Sequence, residues 1–352
     1  MSFADYMEQV LYAPGWGYYS GGSAKLGREG DFVTAPEMTP LYGRTLARAL
    51  QPLLEQTGPA IVELGAGTGR LARDILVELA SLNSPVKEYA ILELSGELQE
   101  RQQKMLSGFS EVKWLSSLPE GFEGVVIANE VLDAMPVQLV VKRGKHWQEL
   151  GVTGTDGQFV WCERPCGKGL AEAVAEWVPE AALLPDGYIT EIHTRAFAFV
   201  KTLSEKLSSG QGAAALFVDY GFPAREYYHP DRRNGTLMCH FRHHAHDDPF
   251  FRPGLQDVTT HINFTAMAKA AEEGGMELLC YTSQSRFLIG AGLPQLLKET
   301  AGENGRFSSS QSQPVQTLLS PAEMGELFKV LVIGYRIKPP PFLLETDRSG
   351  RL

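Results

Sequence analysis

The stretch Ile61–Leu71, IVELGAGTGRL, decides the fold that this sequence predicts. An apolar run ends in the acid Glu63, and an amphipathic pattern begins after three alternating glycines, Gly65, Gly67 and Gly69. This order predicts a strand, a tight turn and the start of a helix, with a ligand close to the backbone of the turn. A dinucleotide site requires G-x-G-x-x-G, but Arg70 occupies the last position of that pattern. The spacing therefore favours a nucleoside that carries no pyrophosphate.

The composition is that of a soluble globular protein. The chain has 352 residues, 43% hydrophobic and 21% charged, which is enough for one large α/β domain with insertions or for two smaller domains. The formal net charge of −10 argues against nucleic acid as the main partner, because phosphate binding needs a basic face. It leaves room for a cationic substrate. No apolar run reaches the roughly 18 residues of a membrane span, so we expect no membrane insertion.

The cysteines and the N-terminal stretch bear on the compartment. Four cysteines show neither disulfide density nor paired C-x-x-C spacing, which predicts reduced structural thiols. The stretch MSFADYMEQVLYAPGWGYY has no basic and apolar signal pattern and no Arg-rich transit pattern. We therefore expect a cytoplasmic location.

Strand and helix patterns alternate from residue 60 onward and predict a parallel sheet with helices on both faces. The predicted strands are 60–64, 88–93, 111–115 and 124–128. After Pro136 the period changes to two, and Asp156-Gly157 reads as a hairpin turn, so we predict an inserted antiparallel meander.

The sequence divides into five predicted segments. They are an N-terminal helical and lid segment (1–58), the first part of the α/β core (59–136), the meander (137–186), the rest of the core (187–338) with an irregular insertion (222–260), and a flexible tail (339–352). The last strand, near 327–337, is expected to be antiparallel, and SSSQSQP at 308–314 reads as a surface loop.

Polar residues follow the predicted strands where an open α/β sheet binds its ligands. Glu93 ends the second strand, at a distance from the glycine turn that suits a carboxylate holding ribose hydroxyls. Asn129, Glu130 and Asp133 follow the fourth strand, and Asp219 follows the apolar residues 215–218 in the run ALFVDYG. Ordinary helix-start and turn roles are the alternative for each acid.

The segment CHFRHHAHDD, residues 239–248, invites a metal hypothesis because imidazole and carboxylate groups are zinc ligands. It lacks the i, i+4 histidine pair with a glutamate and a second C-x-x-C pair. We predict no metal site there.

Several motifs together resemble S-adenosylmethionine (SAM)-dependent methyltransferases of the seven-stranded Rossmann-like type. They resemble most closely the MidA-like family, which includes the mitochondrial complex I assembly-factor protein-arginine methyltransferase. The motifs are GDFVTAPEMTPLYG, VELGAGTGRLARDIL, ANEVLDAMPV, FVDYGF and RPGLQDVTTHINF. Members usually carry a helical stretch before SFADYM, and Asn263 stands where an aspartate is expected.

The resemblance implies a seven-stranded sheet with an N-terminal lid segment and the inserted meander, and SAM as the cofactor. The helix after Gly69 would meet the methionyl carboxylate, Glu63 the amine and Glu93 the ribose. We also predict that the turn-rich segment 30–37 is a lid, in which Phe32, Thr34 and Pro36 close over the cofactor. The further implied cofactor-site residues are Thr34, Pro36, Glu37, Leu94, Leu115, Leu118 and Asn129, of which Leu115 and Leu118 would flank adenine.

The function that the resemblance implies is arginine methylation of a protein, with a subunit of respiratory complex I as one acceptor and a bacterial cytoplasm as the location. Glu130 and Asp133 would clamp the guanidinium, with Asp219 and His261 as helpers. Two alternatives stay open: a methyltransferase for a small molecule or another protein side chain, and a SAM-binding assembly factor that mainly holds a partner subunit. A homodimer is also open.

Overall fold

The computed structural model describes residues 1–21, 34–300 and 309–352. Contacts divide the chain into two units. The first, which we call the meander unit, comprises Met1–Phe32, Leu132–Val200 and Gly221–Ala270. The second, which we call the α/β unit, comprises Val33–Val131, Lys201–Tyr220 and Ala271–Leu352.

The strands follow in chain order. They are β1 (Ala60–Leu64), β2 (Glu88–Leu92), β3 (Val112–Leu115), β4 (Gly124–Asn129), β5 (Gln138–Arg143), β6 (His146–Thr155), β7 (Gln158–Pro165), β8 (Ile189–Ile192), β9 (Ala213–Phe222), β10 (Met238–Phe241), β11 (His244–His246), β12 (Asp257–Thr259), β13 (Ile262–Asn263), β14 (Glu277–Ser283) and β15 (Phe328–Tyr335).

The helices are numbered in the same way. They are α1 (Phe3–Tyr12), α2 (Ala35–Met38), α3 (Pro40–Thr57), α4 (Arg70–Ser81), α5 (Gly96–Met105), α6 (Lys168–Trp177), α7 (Thr194–Ser208), α8 (Ala224–Tyr227), α9 (Phe264–Glu273), α10 (Gln284–Gly290), α11 (Leu293–Thr300), α12 (Ser309–Leu319), α13 (Met324–Leu327) and α14 (Pro341–Thr346), followed by a 3₁₀ turn at Ser349–Arg351. None of the helices in the described ranges is long and apolar enough to cross a bilayer.

The central sheet of the α/β unit has the strand order β14-β15-β9-β4-β1-β2-β3. Strands β9, β4, β1, β2 and β3 are parallel, and β15 is antiparallel to both of its neighbours, as the sequence predicts for the last strand. The run Ala213–Val218 of β9 is buried throughout, the pattern of a strand covered on both faces. The mixed α/β fold is therefore confirmed.

The strand count differs from the prediction of seven. The two-residue strand β13 pairs in parallel with the last two residues of β9, Ile262 opposite Gly221 and Asn263 opposite Phe222. Within the described residues the sheet therefore has eight strands. A pairing of two residues has no sequence period, and a Cβ at Gly221 would lie 2.1 Å from the Ile262 carbonyl oxygen. The glycine permits this close approach.

The meander unit contains the antiparallel sheet β7-β6-β5-β8. Strands β6 and β7 are joined at Asp156-Gly157, whose positive φ values of 50° and 77° are those of a type I′ turn. Helix α1, capped by the Ser2 side chain, shares a buried apolar cluster with strands β5 and β6. The predicted antiparallel insertion is thus present.

The segment 222–260 is more regular than predicted. It contains α8 and a small sheet with the order β11-β10-β12. The turn between β10 and β11 places Arg242 and His243 at φ values of 50° and 63°. These positive angles are uncommon for residues other than glycine, so the sequence carries no recognisable hairpin signal there.

Two C-terminal predictions are wrong. We expected a loop at 308–314, but the residues from Ser309 onward belong to α12. Leu318 on this helix is buried in the core, which stabilises the helix. The expected flexible tail at 339–352 forms α14, whose Leu343 is fully buried. The Asp347 carboxylate accepts a hydrogen bond from the Tyr281 N–H at 3.0 Å and ties the tail to β14. Tertiary contacts order both segments, and these contacts cannot be read from the local sequence.

Candidate functional site

The glycine turn between β1 and α4 has the backbone that the sequence predicts. Gly65, Gly67 and Gly69 have φ values of 62°, 51° and 86°, all in the region that favours glycine. The Gly65 N–H donates to the Leu92 carbonyl at 3.0 Å, which joins the turn to the end of β2. Helix α4 begins directly after Gly69, so its first N–H groups point toward the turn.

The segment 34–37 lies beside this turn. Thr34 precedes α2, and Pro36 and Glu37 belong to it. The Glu37 carboxylate accepts a hydrogen bond from the Thr68 hydroxyl, and its other oxygen lies 3.2 Å from the Arg70 guanidinium. Arg70, which argued against a dinucleotide, thus pairs with Glu37. The predicted lid residue Phe32 lies outside the described residues.

Glu63 is buried on β1, with 2% of its surface exposed. The Tyr89 hydroxyl donates to its carboxylate at 2.8 Å. Burial raises the pKa of Glu63 to about 8, the Tyr89 hydrogen bond opposes this rise, and the charge of Glu93 adds to it. A cationic group arriving next to Glu63 would favour its ionised form.

Glu93 is held from two sides after β2. One oxygen accepts from the Ser95 N–H at 2.8 Å and the other from the Gln102 side-chain amide at 2.9 Å. The same Gln102 amide donates to the Gly67 carbonyl at 3.0 Å, and the Trp114 indole N–H donates to the Gln102 oxygen at 2.9 Å. Gln102 therefore connects the carboxylate with the glycine turn.

Sequence reasoning missed Gln102. It is fully buried on α5, four residues after the buried Leu98, so it occupies the apolar face of an otherwise polar helix. A buried polar residue at that spacing needs hydrogen-bond partners, and this could have drawn attention to it.

The three leucines assigned to the cofactor lie at or after the ends of β2 and β3. These strands are neighbours, with Leu92 opposite Leu115. Leu118 is buried, Leu115 is half-buried, and Leu94 is 80% exposed. Leu94 therefore provides exposed apolar surface directly after the Glu93 carboxylate.

Asn129 is the last residue of β4, Glu130 follows it, and Asp219 lies on the neighbouring strand β9. The Tyr42 hydroxyl donates to the Asn129 side-chain oxygen at 2.5 Å, and the Asn129 amide donates to the Glu130 carboxylate at 3.1 Å. Burial, and after it the charges of Glu130 and Asp219, raises the pKa of Tyr42 well above its usual range. The charges of both carboxylates therefore act on one buried hydroxyl, which sequence reasoning missed.

The backbone of Glu130 is unusual. Its φ is +54°, and its N–H donates to the Val218 carbonyl at 2.8 Å. A positive φ is uncommon for a residue other than glycine, and backbone strain of this kind occurs most often at functional sites.

Asp133 and His261 belong to the meander unit, whereas Glu130 and Asp219 belong to the α/β unit. Asp133 is buried, and its carbonyl accepts from the Thr260 N–H at 3.0 Å. His261, which follows Thr260, donates its backbone N–H to the Thr236 hydroxyl at 3.0 Å. The structure thus brings Asp133 and the His261 segment together within one unit.

Known proteins share this fold and sequence. Residues 43–282 match the profile of a family described as "Putative S-adenosyl-L-methionine-dependent methyltransferase". A crystal structure from Burkholderia thailandensis, bound to S-adenosyl-homocysteine, is 47% identical with a TM-score of 0.93, covering 100% of this chain and 92% of that one.

Two further relatives are named "Protein arginine methyltransferase NDUFAF7, mitochondrial". The Mus musculus protein is 29% identical over 93% of this chain and 79% of its own length. The Homo sapiens protein is 27% identical over 95% of this chain and 80% of its own length.

The glycine turn and the carboxylates at the ends of β1 and β2 suit a nucleoside with an amino-acid tail, and the family profile specifies SAM as the cofactor. The profile spans more than half of the chain, and the Burkholderia protein matches over the full length. The chain therefore belongs to the MidA-like family of SAM-dependent methyltransferases.

Proposed function

We propose that this protein methylates arginine side chains of a partner protein. The observation that carries the proposal is the pair of carboxylates, Glu130 directly after β4 and Asp219 on the adjacent parallel strand β9: Asn129, the last residue of β4, lies opposite Val218, and the Glu130 N–H donates to the Val218 carbonyl at 2.8 Å. Strand β4 also pairs with β1, which leads into the glycine turn. The names of the NDUFAF7 relatives support the same acceptor chemistry.

The carboxylates suit a guanidinium for a physical reason. Arginine stays protonated at physiological pH, and it has five N–H donors and no acceptor. Two carboxylates can accept from it, orient it and draw its positive charge toward the nitrogens that they contact. The remaining terminal nitrogen is then the one that faces the methyl donor. When bound, SAM supplies an electrophilic methyl group on a sulfonium.

The remaining residues take supporting roles in the proposal. The N–H groups at the start of α4 bind the methionyl carboxylate, Glu63 lies near the amine, and Glu93 binds the ribose. Thr34, Pro36 and Glu37 would hold the cofactor beside the turn, Asn129 would bind it next to Glu130, and Leu94, Leu115 and Leu118 would provide the apolar surface for adenine.

Asp133 and His261, which the resemblance also assigns to the acceptor, belong to the meander unit, and the proposal places no step on them. The MidA-like family includes a mitochondrial complex I assembly factor, so a respiratory complex I subunit is the acceptor to test first. A SAM-binding assembly factor would bind the same cofactor without needing an acceptor clamp, so the charge of Glu130 separates the two functions.

The experiment compares Glu130→Gln with the wild type. The purified proteins are incubated with isotopically methyl-labelled SAM and extract from cells that lack the protein, and methylarginine is measured by mass spectrometry. We expect the rate to fall by about 10²-fold, the scale for loss of a positioned charged group. S-adenosyl-homocysteine affinity by calorimetry should change by less than about threefold, roughly 0.65 kcal/mol.

The control is Glu123→Gln, an exposed carboxylate before the other end of β4, which should leave both quantities unchanged. Labelled methyl groups on residues other than arginine would refute the arginine acceptor. Normal transfer by Glu130→Gln would refute its role in the clamp.

A further inference from the structure

We propose that Tyr42 is a positioning residue for methyl transfer: its hydroxyl orients the Asn129 amide, and that amide orients the Glu130 carboxylate. This inference rests on the acceptor role proposed above for Glu130. The chain of contacts is Tyr42 to Asn129 at 2.5 Å and Asn129 to Glu130 at 3.1 Å, all within the α/β unit.

The start of α3 holds Tyr42 in place. Thr39 caps the helix through its hydroxyl, which accepts from the Leu41 N–H, and Pro40 occupies the first position, where proline fits best. A Cβ at Gly43 would lie 2.8 Å from the Asp74 Cβ, so α3 packs closely on α4 next to Tyr42. Tyr42 itself is buried, and its hydroxyl contacts Asn129 at the end of β4.

The donor and acceptor chemistry gives the chain a direction. An asparagine amide has one oxygen that accepts and one nitrogen that donates. The Glu130 carboxylate only accepts, so it faces the Asn129 nitrogen, and the Tyr42 hydroxyl then donates to the Asn129 oxygen on the other side of the amide. In the flipped amide, two oxygens would face each other across the same contact. Tyr42 keeps its proton at physiological pH because burial raises its pKa, so the direction is stable.

Glu130 gains from such support because its backbone is already constrained. At φ +54° its carboxylate leaves β4 in a direction that a regular strand would not give. A carboxylate that must meet a guanidinium in one orientation works best when its rotation is fixed before the acceptor arrives. The Asn129 amide limits that rotation, and the Tyr42 hydroxyl holds the other end of the amide in place.

The first test is a double-mutant cycle with Tyr42→Phe and Glu130→Gln. Tyr42→Phe removes one hydroxyl and should lower kcat by about tenfold, with S-adenosyl-homocysteine affinity within about threefold. In the Glu130→Gln background the same change should lower kcat by less than about twofold, since the group that it positions is already neutral. Tyr281→Phe, a buried tyrosine on β14 of the same unit, is the matched control and should leave kcat unchanged.

Two outcomes would overturn the proposal. A full tenfold effect of Tyr42→Phe in the Glu130→Gln background would show that Tyr42 does not act through Glu130. A loss of S-adenosyl-homocysteine affinity equal to the loss of kcat would make Tyr42 and Asn129 a support for the cofactor.

A second measurement requires no activity. Crystal structures of the wild type and Tyr42→Phe, both with S-adenosyl-homocysteine, should show the Glu130 carboxylate or the Asn129 amide reoriented in the variant. Unchanged side chains would overturn the proposal. If the wild type transfers no methyl group to arginine, the proposed function fails, while this comparison still decides whether Tyr42 positions Glu130.

Discussion

Replacing Gln102 by leucine tests whether one buried amide supports both the fold and the cofactor site. Gln102 donates to the Gly67 carbonyl and the Glu93 carboxylate and accepts from the Trp114 indole. Leucine has a similar size but can form none of these hydrogen bonds, and Gln102 is fully buried, so water cannot replace them at its position.

The magnitude follows from the three contacts. The hydrogen bond to a carboxylate contributes about 1.5–3 kcal/mol and each neutral one about 0.5–1.5 kcal/mol. The added apolar burial of leucine offsets a part of this sum. We expect the free energy of unfolding to fall by about 3 kcal/mol. S-adenosyl-homocysteine affinity should fall by about tenfold, because Glu93 loses the donor that orients it.

The assays are urea denaturation and calorimetry with S-adenosyl-homocysteine at a temperature where the variant is fully folded. Gln103→Leu, the exposed neighbour on the same helix, should change the free energy of unfolding by less than about 0.5 kcal/mol and leave the affinity unchanged. If Gln102→Leu is destabilised but binds the ligand normally, the link between Gln102 and the cofactor site is refuted.

Two further predictions concern stability. Folded Glu63 has a pKa of about 8, whereas the ordinary value is 4.5. Between pH 4.5 and pH 8 the folded protein therefore binds more protons than the unfolded chain. The free energy of unfolding should fall as the pH rises through this range. Glu63→Gln should remove this slope, at most about 1.4 kcal/mol per pH unit, in urea denaturation at pH 5, 6.5 and 8; curves parallel to the wild type would contradict it. Leu343→Ala should lower the free energy of unfolding by about 2–4 kcal/mol because Leu343 is fully buried, whereas Leu344→Ala, at a position 62% exposed, should cost less than about 0.5 kcal/mol; equal effects would show that the tail does not pack as described.

Local signals account for what the sequence predicted well. Strand β1 begins and ends at the predicted residues because an apolar run precedes the glycine turn, and the Asp156-Gly157 turn has the positive φ values that its residues favour. The three glycines of the turn between β1 and α4 were also predictable, because only glycine adopts their backbone angles readily. Each of these signals lies within a few consecutive residues.

Contacts between distant segments account for what the sequence did not show. Tyr42 and Asn129 are 87 residues apart, and Gln102 reaches Gly67 across 35 residues, so no local pattern announces either hydrogen bond. The two-residue strand β13 and the helix at Pro341–Thr346 likewise depend on partners elsewhere in the chain. The sequence by itself determined the α/β core, the glycine turn and the candidate carboxylates, because periodicity and backbone preference act locally. Only the tertiary structure decided which buried side chains hold those carboxylates, because a buried polar group takes its partner from whatever the fold brings within hydrogen-bond distance.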